Sequence, residues 1–110
     1  MTNPRAYSQH TTEATRLLGR LIKTGRKGRR WSASDLAERI GVSLVTLRRI
    51  ENGRPTCAIG LVFEAAALVG IPLFDSDQTR LTTHLERTDA MLTLMPKSIR
   101  KSKGPVDDDF

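Results

Sequence analysis

The sequence predicts an all-α chain of about five helices with polar segments at both ends. Three observations carry this. Apolar residues recur at three- and four-residue spacing in separate stretches. Glycines and prolines punctuate those stretches. Aromatic residues make up only 5% of the 110 residues, so packing rests on Leu, Ile, Val and Ala. Such a composition suits small packed helices better than a sheet, and the length allows one modest core.

Residues 1–10 are polar, contain Pro4 and are expected to form a flexible arm. The bundle is expected over residues 11–74. Its first helix should start with Thr11 or Thr12 as N-cap and bury Ala14, Leu18, Leu21 and Ile22, with Leu17 alongside. A basic linker, GRKGRR at residues 25–30, follows, and Trp31 closes it against the core. Ser32 stands three residues before Asp35, a loose capping box that opens the second helix. Leu36, Ala37 and Ile40 give that helix its apolar stripe, and Gly41 ends it where φ > 0 is needed. Ser43 is a natural N-cap for the third helix. Leu47 and Ile50 point inward from it, Arg48 and Arg49 outward, and Asn52-Gly53 stop it.

Thr56 is expected to cap the fourth helix, whose inner face is Ile59, Val62, Ala65, Ala66 and Val69. Gly70 ends it, and residues 71–74 lead out as a short extended segment. A C-terminal helix is expected within residues 75–96, from about Ser76 to Leu94. Its stripe of Leu81, Leu85, Met91 or Leu92, and Met95 is thin and is interrupted by Thr88. A weak stripe beyond a closed core suggests packing on a partner chain, with packing within the chain as the alternative, so Leu81, Leu85 and Leu92 are the expected dimerisation or partner-contact residues. Residues 97–110 are too polar to bury themselves and are expected to be disordered when free. This bipolar tail carries Lys97, Arg100 and Lys101, then Asp107, Asp108 and Asp109, and ends at Phe110.

The net charge is +6, and its distribution matters more than its sum. Between Arg16 and Arg54 stand eleven Lys or Arg against Asp35, Glu38 and Glu51, a local excess of eight. A basic zone coinciding with two short helices joined by a tight turn is the footprint of a phosphate-binding face. Catalytic chemistry finds no foothold. His10 and His84 are isolated, and GRKGRR lacks the Lys-Ser/Thr ending and strand context of a phosphate-cradling loop. Cys57 is the single cysteine, so a cysteine zinc cluster is impossible, and Asp107–Asp109 is too flexible a run for a preorganised ion site. No enzyme activity, metal or cofactor is expected. No apolar run approaches a membrane span, and a cytoplasmic location is expected.

The stretch SASDLAERIGVSLVTLRRIENG at residues 32–53 resembles the Xre/Cro-type helix-turn-helix regulators. Trp31, Ser32, Leu36, Ala37, Gly41 and Val42 fall on that pattern, as do Ser43, Leu47, Ile50, Glu51, Asn52 and Gly53. The likeness extends loosely from Leu17 to Leu73. It implies a lambda-repressor-like helix-turn-helix bundle that binds double-stranded DNA, with the third helix in the major groove. Carried over residue by residue, Ser43, Leu44, Val45 and Thr46 face base edges, and Arg48 and Arg49 lie one turn later. Arg49 suits bidentate contact with guanine. Leu44 and Val45 replace the family's usual amide-bearing residues and suit either thymine methyls or packing. Arg26, Lys27, Arg29, Arg30 and Arg54 are expected on phosphates, with Ser32 and Ser34 at the start of the second helix. Ala33 stands where the family commonly places a phosphate-anchoring Gln.

Within the family, a small chain with a bipolar tail is similar to the HipB-type antitoxins. That likeness implies a homodimer on a palindromic operator and a toxin partner, a HipA-type kinase or its split equivalent, held by the tail. A stand-alone Xre-type repressor, or a protein that mainly neutralises a partner, remains open on the same residues.

Overall fold

The computed structural model describes residues 6–75 and 77–99. Among them are five helices and no strand: α1 (Gln9–Gly28), α2 (Ala33–Ile40), α3 (Leu44–Glu51), α4 (Ile59–Leu68) and α5 (Gln78–Leu94). The chain divides into two units, Met1–Ser76 and Asp77–Phe110, so α1 to α4 belong to the first and α5 to the second.

Helix α1 starts earlier than its sequence suggests. Ser8 is the N-cap, extended, with its Oγ accepting the Thr11 N–H at 3.2 Å, while the Thr12 N–H donates to the Ser8 carbonyl at 3.0 Å. Thr11 and Thr12 therefore lie inside the helix. The other end runs on as well, because residues 25–28 are helical rather than a linker. Its buried face is Gly19, Ile22 and Arg26, whereas Ala14 and Leu21 are exposed, contrary to the expected stripe. The reason is a close backbone approach. A Cβ added at Gly19 would lie 2.5 Å from the Glu51 carbonyl oxygen and 2.7 Å from that of Ile50. Gly53 answers from the other side. It has φ +74° and faces the Arg16 Cα so closely that a methyl group there has no room. Two glycines thus let α1 lie directly on the end of α3.

Helix α2 opens on a complete capping box. The Ser32 Oγ accepts the Asp35 N–H at 3.0 Å, and an Asp35 carboxylate oxygen accepts the Ser32 N–H at 2.8 Å. Gly41 ends the helix in the left-handed conformation, as expected. Ser43 caps α3 by accepting the Thr46 N–H at 3.1 Å. Helix α4 departs from expectation. Ala58 is its N-cap without a side-chain bond, so Thr56 does not cap it, and Ile59 is 73% exposed rather than inward. Its Ala65 and Ala66 are fully buried, small enough to bring α4 against α2.

The core consists of Ile22, Leu36, Ala37, Leu47 and Ile50 with Ala65, Ala66 and Val69. Each large aliphatic side chain buried there stabilises the fold by roughly 1.5–3 kcal/mol. After α4 the chain bends at Leu73 and Phe74 rather than staying extended. Phe74 has φ +141°, a region a bulky residue seldom occupies, and its ring stacks on Phe63 at 6.1 Å and 11°.

Helix α5 is capped by Asp77, whose carboxylate accepts the Thr79 N–H at 2.9 Å. None of its residues is buried. Hydroxyls of Thr83, Thr88 and Thr93 each donate to the carbonyl four residues earlier, at 2.8–3.0 Å, so these three bonds stay within the helix.

Candidate nucleic-acid interface

The inner side of α3 is fixed by Leu47, Ile50 and Glu51. Glu51 is the surprise among these. Its two carboxylate oxygens accept from Arg26 Nε at 2.7 Å and Nη2 at 3.1 Å, a two-point ion pair buried under both helices. Arg26 Nη1 also donates to the Trp31 carbonyl at 2.8 Å. Hydrogen bonding to Glu51 raises the Arg26 pKa above its ordinary value in spite of burial. Arg26 is therefore not a phosphate contact, which corrects the sequence expectation. Its exposure is 7%, and its charge is matched inside the fold. The pairing joins the last turn of α1 to the last turn of α3. Arg20 adds a second tie, its Nη1 donating to the Glu51 carbonyl at 3.2 Å.

With that side anchored, the outward strip of α3 follows from 3.6 residues per turn. Val45 is 67% exposed, Arg48 and Arg49 are exposed, and Asn52 continues the same strip. Leu44 and Thr46 are half-buried at its edges. Ser43 spends its hydroxyl on the cap, donating to Thr46 Oγ1 at 3.1 Å and accepting the Thr46 N–H. Of the six expected base-facing residues, Val45, Arg48 and Arg49 thus share the open strip, while Ser43 and Thr46 are tied to each other. Asn52 was missed in the sequence because it reads as a stop signal. Its spacing from Val45 and Arg49 was the available clue.

The backbone-facing candidates sit on the flanks. Lys27 is exposed in the last turn of α1, and Ser32 and Ser34 are exposed at the start of α2. Arg29 lies over the Trp31 ring at 5.6 Å, and Arg39 lies over the same ring at 4.1 Å. Arg30 is exposed and has φ +62° in the turn that ends α1. That position favours glycine, yet it carries a cation. Arg54 is exposed just beyond Gly53, with its N–H donating to the Arg49 carbonyl at 3.1 Å. Because Arg26 and Glu51 neutralise each other, the local excess of positive charge on this unit is carried by the exposed cations. Helix N-termini at Ser32 and Ser43 add backbone N–H groups suited to phosphate.

A family model described as a helix-turn-helix domain matches residues 17–92, well over half of the 110-residue chain. The chain belongs to the helix-turn-helix family. It is an Xre-like DNA-binding regulator. No curated protein and no solved structure matches the chain. Among the described residues, no helix of the domain protein is long and apolar enough to cross a membrane. No three metal-ligating side chains cluster among them either.

Proposed function

We propose that this helix-turn-helix protein is a cytoplasmic, sequence-specific transcriptional repressor that binds a palindromic operator as a homodimer and controls its own operon. The observation that supports this best is the division of α3. One side is locked to α1 by the Arg26–Glu51 pair, and the other presents Val45, Arg48 and Arg49 to solvent. Val45 suits thymine methyls, Arg49 suits guanine, and Lys27, Arg29, Arg30 and Arg54 suit flanking phosphates. Leu81, Leu85 and Leu92 on α5 supply the dimer contact.

Selection of binding sites from a random duplex pool tests the reading. A two-fold consensus is expected, and Arg49→Ala should cost about 1–3 kcal/mol and relax preference at one base position. With the four flanking cations of each chain on phosphates, about eight in the dimer, affinity should fall by roughly four decades between 50 and 200 mM salt. A log–log salt slope shallower than about −2 would remove the phosphate-rich interface.

A second role, holding a toxin such as a HipA-type kinase, rests on the sequence of the tail. Lys97 is described, whereas Arg100, Lys101, Asp107, Asp108, Asp109 and Phe110 lie outside the described residues. Removing residues 97–110 should leave operator binding intact and abolish capture of that kinase if the tail holds it.

A further inference from the structure

The first unit carries a groove that the DNA-facing side does not use. It has a volume of about 590 Å³ and is walled by Leu18, Ile50, Val62 and Phe63, with Ile59 and Phe74 at its open side. Ile59 and Phe74 are 73% and 86% exposed, far more than isolated side chains of a closed core. Separately, α5 leaves Leu81, Leu85 and Leu92 exposed at the i, i+4, i+11 spacing of an amphipathic helix that docks in a groove.

Building on the homodimer proposed above, we infer that α5 of one copy lies in this groove of a second copy, and reciprocally. Three considerations select a second copy as the occupant. Each chain owns one helix and one groove, so the exchange closes at two molecules. The link between the bend and α5 is short, residues 75–77, and begins at Phe74 with its disfavoured φ of +141°. Short, strained hinges favour exchange of an element between copies over folding back. The area also suffices. Two helix-in-groove contacts, each about 25 Å long and about 10 Å wide, bury roughly 1,000 Å² over both partners, the lower bound for a specific interface. The groove includes Ile50 and Gly53 at the end of α3, so the same contact would set the orientation of the two recognition helices.

The sole cysteine, Cys57, lines this groove and makes the test direct. Unaltered chain is mixed with a longer, tagged chain carrying Cys57→Ser and one of Leu81→Cys, Leu85→Cys or Leu92→Cys, and the mixture is oxidised mildly. A disulfide between the two different chains is expected for at least one of the three. Ile59→Glu, at an exposed position, should weaken dimerisation at least tenfold in light scattering while leaving the circular dichroism spectrum unchanged. Cross-links only between two tagged chains would mean helix-to-helix pairing, which overturns the groove assignment and spares the homodimer. An unchanged dimer in Ile59→Glu would likewise overturn the groove assignment. A monomer at all concentrations would overturn both.

Discussion

Helices α3 and α5 make opposite use of their length. Helix α3 has only eight residues, too few to hold together alone in water, and yet it is fixed on its inner side by Leu47, Ile50 and Glu51. Helix α5 has seventeen residues and buries none of them. The difference lies in what each inner face meets. Helix α3 rests on a backbone-to-backbone contact at Gly19 and Gly53, and its last turn is ion-paired across 25 positions of sequence. Helix α5 has a cap, threonine hydroxyls returned to its own carbonyls, and leucines that remain exposed. Order in the short helix comes from packing, and order in the long one comes from local bonding.

The largest effect should come from breaking the tie under α3. Arg26→Met leaves the Glu51 carboxylate buried without its partner and should cost about 3–5 kcal/mol in urea denaturation. A loss under 1 kcal/mol would show that the pair is not what fixes α3. Next, Leu47→Ala should cost about 2–5 kcal/mol, whereas Leu85→Ala in dilute, monomeric chain should change stability by less than about 0.5 kcal/mol. Equal costs would erase the contrast between the two helices. Arg30→Gly sharpens the same contrast from the rim. It relieves a left-handed residue and should raise stability by up to about 1 kcal/mol, offset in part by the freer unfolded chain. Duplex affinity should fall in the same variant. A lower melting temperature would mean that the Arg30 side chain supports the fold rather than the ligand.

The smallest effect concerns acid. Hydrogen bonds from the Ser32 backbone N–H and hydroxyl hold the Asp35 carboxyl below its ordinary value of 3.8. A depressed folded pKa gives stability that is present above the unfolded value and disappears as pH falls through the folded one. The cap should therefore persist at neutral pH and fail only below about pH 3.8. Asp35→Asn should flatten the acid limb of a stability–pH curve, and an unaltered limb would assign that limb to other carboxylates.

Features set by local chemistry were legible in the residues themselves. Ser32 with Asp35, Gly41, Ser43 and Gly53 each announce a backbone state that only a few residue types serve well, and the structure shows each in place. The outward position of Arg48 and Arg49 followed from helical period alone. The inner face of α1 was harder to read, because Gly19 and Arg26 are buried in it beside Ile22, while of the expected leucines only Leu18 packs against the core. Apolar periodicity gives no weight to a glycine that matters through close approach, nor to an arginine neutralised by a distant acid. Arg26 looked like one more cation in a basic run. Only the chain crossing, which brings Glu51 beneath it, separates it from its neighbours. Ile59 fails for a related reason, since α4 meets the core through Ala65 and Ala66, with Leu61 and Val62 packed at its edge, and leaves Ile59 outside.

The Gly19–Gly53 crossing has one more consequence. Together with the Arg26–Glu51 pair and the buried Leu47 and Ile50, it holds α3 from behind, so the side chains at positions 45, 48 and 49 carry no part of that support. Those three places can change identity without disturbing what supports them. On the reading proposed above, in which those three face the bases, preference for a new DNA sequence is open to exchange on this scaffold as a small cassette, with the fold serving as an unchanged handle.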